Sequence, residues 1–190
     1  MIQPNKRLIL ASKSPRRREL LEGLQLNFDI RTKDTLEDFP SNMPVNEVAS
    51  YLSKVKADAM KADMYEDEII ICADTVVLFD GAILGKPESA EEAKSMLNRL
   101  SGQVHEVITG VTVMDKITSV TFEDKALVHF KRLSKEEINY YIEQYAPYDK
   151  AGAYGIQEWL GYIGVEKIEG SFYTVMGLPV HKLYAVLKNF

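Results

Sequence analysis

The stretch LILASKSPRRREL, residues 8–20, predicts a buried strand that runs directly into a helix. Residues 8–11 form a short apolar run of the length expected for a buried strand. Ser14 is a residue type favoured at a helix N-cap, and Pro15 suits the first helical position. Leucines then recur at helical spacing. Three consecutive arginines therefore occupy the first turn of the predicted helix.

These arginines, residues 16–18, lie where positive charge is unfavourable. A helix N-terminus carries partial positive charge, so each cation there costs a few tenths to about 1 kcal/mol. The residues alone leave two interpretations open: a capped surface helix with solvated arginines, or an anion site. In the anion site, Ser12, Ser14 and the helix-start amides donate hydrogen bonds, and Arg16 and Arg17 add forked ones. The common P-loop pattern GxxxxGK[ST] does not occur.

The rest of the chain predicts a mixed α/β fold with an antiparallel portion, forming one domain over residues 1–190. The run at residues 68–79 is nearly continuous in apolar residues, which is typical of a central strand covered on both faces. Two Ser-x-x-Glu patterns, beginning at Ser89 and Ser134, predict capped helix starts. Further strands are predicted at residues 28–32, 106–114 and 120–130, and further helices at residues 45–64 and 179–190.

Length and composition favour one core with two lobes around a cleft, because 190 residues are few for two large domains. Hydrophobic residues make up 46% of the chain and charged residues 27%, as in ordinary globular proteins. The net charge of −5 argues against a nucleic-acid partner, which usually requires a basic balance. A local basic patch on an acidic chain indicates a small anion instead.

Cysteine content and hydropathy exclude several other classes. The single cysteine, Cys72, allows neither an internal disulfide nor a cysteine-rich zinc site, and its apolar neighbours favour a buried role. The first residues, MIQPNKRLILAS, contain too short an apolar run for a signal peptide. No apolar stretch reaches the length of about 18 residues that a membrane span needs. We therefore expect a cytoplasmic protein without a membrane partner.

Asp74 interrupts the apolar run IIICADTVVLF, residues 69–79. An unpaired buried carboxylate costs several kcal/mol, so Asp74 needs a cation, a metal or a raised pKa. A strand-end aspartate bonded to backbone amides is the alternative, but the run continues past Asp74 and favours a functional group. Glu37 and Asp38 in TLEDFP are unremarkable singly, but together with Asp74 they could hold a magnesium ion, which prefers oxygen ligands.

Lysines and histidines carry weaker signals. Lys86 lies between a glycine and a proline in LGKPES, and Lys56 lies on the predicted helix YLSKVKADAM. Each lysine alone is typical of a solvated surface residue. The three histidines, His105, His129 and His181, have no metal-binding spacing, and we expect structural roles for them.

The segment DKAGAYGIQ, residues 149–157, has glycines that allow close backbone approach to a ligand. Its last residue, Gln157, offers both a donor and an acceptor, which match the O4 and N3–H of a uracil or thymine ring. A solvated loop glutamine is the alternative.

Six blocks occur in order along residues 8–179: LILASKSPRRRELL, ADTVV, LGKP, SGQVHEVITG, DKAGAYGIQ and GSFYTVMGLP. Together they resemble the Maf family of nucleoside triphosphate pyrophosphatases. The first block and DKAGAYGIQ are the most specific. The short blocks ADTVV and LGKP are weak evidence alone and strong evidence together with the others. The resemblance implies a mixed sheet flanked by helices, as in inosine-triphosphate-type pyrophosphatases, and a homodimer. It also implies hydrolysis of a nucleoside triphosphate to the monophosphate and pyrophosphate with a divalent metal, Mg²⁺ or Mn²⁺.

The same resemblance implies roles for individual residues. Asp74 matches the catalytic proton acceptor and Glu37 a second functional carboxylate, and both would hold the metal. Lys86 is the implied third catalytic residue, one of the basic groups that stabilise the leaving pyrophosphate. The implied substrate-binding residues are Ser12, Arg16, Arg17, Lys56, Thr75 and Gln157. Arg16, Thr75 and Gln157 match positions associated with substrate choice.

DKAGAYGIQ looks like the branch of the family that acts on dTTP and UTP, with modified pyrimidine nucleotides as further candidates. One departure is Thr174, where many relatives carry asparagine. Because the family is associated with arrested septum formation, the alternative function is a nucleotide-sensing regulator of cell division without turnover. The acid at Asp74 favours the enzyme, since a binding protein needs no proton acceptor beside the phosphates.

Overall fold

A computed structural model describes residues 5–190. The strands within this range are β1 Arg7–Leu10, β2 Phe28–Ile30, β3 Glu68–Phe79, β4 Ala82–Leu84, β5 Val104–Met114, β6 Ser119–Phe130 and β7 Val165–Glu169. The α-helices are α1 Pro15–Glu22, α2 Val48–Met60, α3 Ala90–Leu100, α4 Lys135–Tyr145, α5 Trp159–Gly164, α6 Phe172–Met176 and α7 Val180–Leu187. None of these helices is long and apolar enough to cross a membrane.

The strands form one mixed sheet in the order β2-β1-β3-β5-β6-β7, with β4 beside β3. β1 runs parallel to β2 and to β3, because each connection between them crosses over through a helix. β4 pairs antiparallel with β3, and β7 with β6. The predicted mixed sheet flanked by helices, with its antiparallel portion, is therefore confirmed.

The chain divides into two compact units. Unit 1 contains the described part of Met1–Thr75 together with Thr109–Asp124 and Gly177–Phe190, and unit 2 contains Val76–Ile108 and Lys125–Met176. This division agrees with the expectation of two lobes. One domain over residues 1–190 stays a prediction.

In unit 1, helix α2 packs on one face of the sheet. Ile70 and Cys72 of β3 share a buried apolar cluster with Ala57 and Met60 of α2. Because side chains alternate along a strand, Asp74 follows on the same face as Cys72. Burial raises the pKa of Cys72 to about 12, so the thiol keeps its proton. Cys72 is therefore a neutral, buried core residue, as predicted.

Gly110 of β5 allows α2 to lie unusually close to the sheet. A Cβ at this position would lie 2.4 Å from the backbone of Ala49, in the first turn of the helix. A side chain there would push α2 outward and carry Lys56 with it, so this glycine sets the height of the helix above the strands.

In unit 2, the core is aromatic around His105. This ring is almost fully buried, meets Phe130 and Tyr154 edge to face, and lies 2.7 Å from the Tyr154 hydroxyl oxygen. Burial lowers the pKa of His105 to about 4, so the ring is neutral at physiological pH. This packing agrees with the structural role expected for His105.

Serine N-caps mark the starts of α1, α3 and α4. Ser134 and Glu137 form the predicted capping box at α4. At α3 the box is incomplete: Ser89 accepts from the Glu92 amide, but the Glu92 carboxylate accepts from the amide of Glu88 instead of Ser89. Four short elements, β4, β7, α5 and α6, are not predicted from the sequence.

Candidate active site

The start of α1 is built as the sequence predicts. The Ser14 hydroxyl accepts from the Arg17 amide at 3.5 Å, and Pro15 is the first helical residue. The Ser14 amide donates to the hydroxyl of buried Ser12 at 3.2 Å. These bonds determine where the helix begins, and so where the first-turn arginines point.

Arg17 is held by three uncharged acceptors. Its Nε donates to the Gly177 carbonyl at 2.8 Å and its Nη2 to the Thr75 hydroxyl at 3.0 Å. Its Nη1 lies 3.4 Å from the Ser12 hydroxyl. Burial lowers the pKa of Arg17 while the charge of Asp74 opposes that shift, and a guanidinium remains protonated in proteins. A positive charge held by neutral groups is well suited to an anionic ligand.

The three arginines differ in their surroundings. Arg16 is half-buried next to Arg17, and its charge contributes to lowering the pKa of Arg17. Arg18 is exposed and pairs with Glu22 one turn along the helix at 2.8 Å. The structure therefore separates a surface arginine from the two predicted to bind substrate.

Two residues that the sequence analysis did not single out complete the Arg17 cluster. Gly177 has a positive φ of 110°, and a Cβ there would lie 3.2 Å from the Thr75 hydroxyl and 3.5 Å from Arg17 Nε. The hydroxyl of Thr109, which is fully buried, lies 2.9 Å from that of Thr75. Both residues fall inside blocks that resemble the family, SGQVHEVITG and GSFYTVMGLP, and that was the available signal.

A second cluster lies around Lys56 of α2. The Lys56 ammonium donates to Glu37 Oε1 at 2.8 Å and to the Asp74 carboxylate. The Asp74 side chain is 11% exposed and that of Lys56 18%, whereas Glu37 is half exposed. The sequence left a cation, a metal and a raised pKa open for Asp74. The structure places a cation of the protein itself, Lys56, against its carboxylate.

In unit 2, Lys86 and Gln157 lie on two loops that are joined by a backbone hydrogen bond. Gly152 donates its amide to the carbonyl of Gly85, the residue before Lys86, at 3.0 Å. Gly152 has a positive φ of 68°, and a Cβ there would lie 3.1 Å from Val77. Lys86 itself is exposed.

Gln157 carries an unusual acceptor. Its Oε1 is buried and has no hydrogen-bond partner among residues 5–190. A buried acceptor without a donor costs free energy, so the arrangement favours a ligand N–H at this position.

In unit 1, then, the predicted site residues form two groups, Ser12–Arg17–Thr75 and Glu37–Lys56–Asp74, with Arg16 beside the first. The other two predicted residues, Lys86 and Gln157, belong to unit 2. Buried Thr174, the departure noted in the sequence, also lies in unit 2.

Comparison with known proteins gives the family. The model of the family described as "Maf-like protein" matches residues 7–190. A dTTP/UTP pyrophosphatase of Parabacteroides distasonis is 54% identical, covering 97% of this chain and 96% of the relative. A dTTP/UTP pyrophosphatase of Porphyromonas gingivalis is 51% identical, covering 97% and 94%. One of Cytophaga hutchinsonii is 55% identical, covering 97% and 84%.

These relatives confirm two predictions made from the sequence, the family and the hydrolase class. Because the match extends over nearly all of its length, the chain belongs to the Maf family.

Proposed function

We propose that this chain hydrolyses dTTP and UTP, and modified pyrimidine triphosphates of the same shape, to the nucleoside monophosphate and pyrophosphate. The observation that carries the proposal is a buried acid, Asp74, next in sequence to Thr75, whose hydroxyl accepts from the Arg17 guanidinium. Within residues 5–190, the hydrogen bonds of this guanidinium go to uncharged acceptors. Relatives that share about half of their residues with this chain bear the name dTTP/UTP pyrophosphatase.

The basic residues match the charge of the substrate. A triphosphate brings roughly four negative charges, more than one divalent ion neutralises. Arg16, Arg17 and Lys56 offset part of the remainder and stabilise the charge that develops on the leaving pyrophosphate. Lys86 keeps the catalytic role that the family resemblance implies.

Asp74 acts as the proton acceptor for the attacking water. An ionised carboxylate only accepts hydrogen bonds, and Asp74 presents this group to the Lys56 ammonium. A phosphate oxygen competes for the same ammonium, so substrate binding draws Lys56 away and leaves Asp74 available to a water.

A divalent cation, Mg²⁺ or Mn²⁺, fits Asp74 and Glu37. Their carboxylates approach the same ammonium nitrogen, so both residues already face one cationic group. Residues 5–190 hold no cluster of three or more potential metal-ligating His, Cys, Asp or Glu side chains. Such a sparse set suits magnesium, which uses one or two carboxylates and keeps waters and phosphate oxygens. When bound, the ion neutralises phosphate charge and makes a coordinated water more acidic.

Gln157 selects the base. Its buried Oε1 would accept from the N3–H of uracil or thymine, while its amide nitrogen donates to O4. Cytosine presents an acceptor at N3 and a donor at N4, so it leaves both groups of the amide mismatched. The expected order is therefore dTTP and UTP above CTP.

The test is pyrophosphate release from dTTP, UTP, CTP, GTP and 7-methyl-GTP with magnesium or manganese, and again after chelation. We expect pyrophosphate from dTTP and UTP only, and no turnover without metal. Release of inorganic phosphate would mean that another bond is cleaved. Binding without any release would favour the nucleotide-sensing regulator of septum formation. An Asp74→Asn variant that folds normally and keeps near-full turnover would remove Asp74 from the mechanism.

A homodimer and a cytoplasmic location remain predictions from the sequence. Sedimentation of the purified chain tests the first.

A further inference from the structure

We propose that Tyr141 and Glu158 are positioning residues that clamp the turn carrying Gln157 and thereby set which base is accepted. This inference rests on the proposed role of Gln157 as the group that selects the base. Every residue that carries it belongs to unit 2.

Gln157 is the third residue of a tight turn. The Glu158 amide donates to the Gly155 carbonyl at 3.1 Å and closes a four-residue loop over residues 155–158. The direction of the Gln157 side chain therefore depends on the shape of this turn.

The Tyr141 hydroxyl contacts both ends of the turn. It accepts from the Gly155 amide at 2.9 Å and donates to Glu158 Oε2. One oxygen thus joins the first residue of the turn to the side chain of the last. We call the Tyr141 hydroxyl with its two bonds the clasp.

The clasp is anchored on its outer sides. Tyr141 is fully buried and stacks on Tyr145, with the ring centres 5.0 Å apart. The Lys150 ammonium lies 3.2 Å from Glu158 Oε1, and its side chain is 8% exposed. Burial and the Glu158 carboxylate raise the pKa of Tyr141, so the phenol keeps its proton and remains the donor to that carboxylate.

Two glycines allow close approaches to the turn. A Cβ on Gly155 would lie 2.8 Å from the Glu158 carboxyl carbon. A Cβ on Gly161 would lie 1.8 Å from the Ile156 carbonyl oxygen, so helix α5 presses on the backbone of the turn. Real Cβ atoms do not approach this closely, so Gly161 must be glycine against the Ile156 backbone, and a side chain at residue 155 would displace the Glu158 carboxylate.

The shape of this turn matters because the backbone of Gln157 sets where its amide lies. Gln157 Oε1 has no hydrogen-bond partner in the described part of the chain, so no hydrogen bond from that part orients it. Discrimination by one amide requires its donor and acceptor to be positioned within a fraction of an ångström. The backbone of the turn supplies that position, and the clasp maintains the turn.

The experiment measures kcat/KM for UTP and for CTP, and compares the UTP/CTP ratio among variants. Tyr141→Phe removes only the bridging hydroxyl, and we expect the ratio to fall about tenfold. Glu158→Ala should lower it similarly, while Glu158→Gln, whose amide oxygen still accepts from Tyr141, should retain more of it. Tyr145→Phe makes the same change on the same helix, outside the clasp, and should leave the ratio unchanged.

Gln157→Ala and the double variant Tyr141→Phe/Gln157→Ala separate the possible failures. If Tyr141 acts through Gln157, the double variant has the same ratio as Gln157→Ala alone. Additive losses would overturn the clasp. A ratio that falls in Gln157→Ala but not in Tyr141→Phe or Glu158→Ala would overturn it too. An unchanged ratio in Gln157→Ala would instead refute the proposed role of Gln157 itself. Should Tyr141→Phe fail to fold, the two Glu158 variants decide the matter.

Discussion

Asp74 and Thr75 are consecutive residues of β3 that contact different functional groups. The Asp74 carboxylate accepts from Lys56 of α2, and the Thr75 hydroxyl accepts from Arg17 of α1. Alternation of side chains along a strand gives two neighbours opposite directions. One dipeptide of the sheet therefore supports both the candidate proton acceptor and the candidate anion-binding arginine.

Lys56→Met keeps most of the side-chain volume and removes the ammonium. We expect a loss of about 10²-fold in kcat/KM for dTTP, since one preorganised charge is removed. We also expect about 1–3 kcal/mol lower unfolding free energy, because the carboxylate of Asp74 loses its partner.

Lys54→Met is the matched control, since Lys54 lies on the same helix and pairs with Asp58 at 2.7 Å in an exposed position. Such surface pairs contribute roughly 0–1 kcal/mol. Steady-state kinetics and urea unfolding of both variants check the prediction. Equal effects of the two substitutions would contradict it.

Arg17→Lys retains the charge but not the fork. An ammonium cannot reach Gly177, Thr75 and Ser12 together as the guanidinium does. We expect kcat/KM for dTTP to fall by about 10²-fold. Arg18→Lys, at the exposed neighbour, should keep wild-type kinetics, and a comparable loss there would count against the distinction between the two arginines.

Gly177→Ala tests whether the backbone at Gly177, whose carbonyl accepts from Arg17, must keep its conformation. The positive φ of 110° strains any L side chain, and the new Cβ would also press on the Thr75 hydroxyl. Gly81→Ala has a φ of +72° with nothing within 4 Å, so it introduces backbone strain without that contact. Both variants should lose about 1–2 kcal/mol of unfolding free energy. Only Gly177→Ala should lose dTTP turnover, and a similar kinetic defect in Gly81→Ala would contradict this.

Glu68 should make stability depend on acidity. Arg31, the Tyr65 amide and Arg7 lower the pKa of Glu68 to about 2, against burial, which acts in the opposite direction. Because the folded pKa lies below the unfolded one, this stabilisation is complete above the ordinary pKa of 4.5 and is lost as the pH falls toward 2.

The measurement is urea unfolding of wild type and Glu68→Gln across this range. We expect wild type to exceed the variant by about 1–2 kcal/mol at neutral pH, a modest figure because the two arginines are partly solvated. The difference should shrink below about pH 4. A difference independent of pH would contradict the assignment.

Several elements were predictable because their signals are local. Ser14 and Pro15 mark the start of α1, and β3 has the predicted bounds, Glu68–Phe79, since a long apolar run needs cover on both faces. β4 was missed although the dipeptide before it, Asp80-Gly81, is typical of a two-residue hairpin turn. In the structure these two residues have positive φ values of 52° and 72°, as such a turn requires.

The candidate site was predictable as a set of residue types, but its contacts were not. The sequence raised the question of what balances Asp74, and left a cation, a metal and a raised pKa open. The structure places a cation there, the ammonium of Lys56, 18 residues earlier, and this contact depends on how closely α2 packs on the sheet over Gly110. Likewise Tyr141 belongs to no block that resembles the family, so no pattern connected it with Gln157.

By itself, the sequence determined the family, the strand-to-helix turn and the residues that bear charge, because these follow from local pattern and residue type. Only the tertiary structure decided which of those residues meet. Arg17 bonds to the carbonyl of Gly177, 160 residues away, and to Thr75 on a different strand. Contacts between such distant positions follow from the packing of helices against the sheet, and the local sequence around each residue does not specify them.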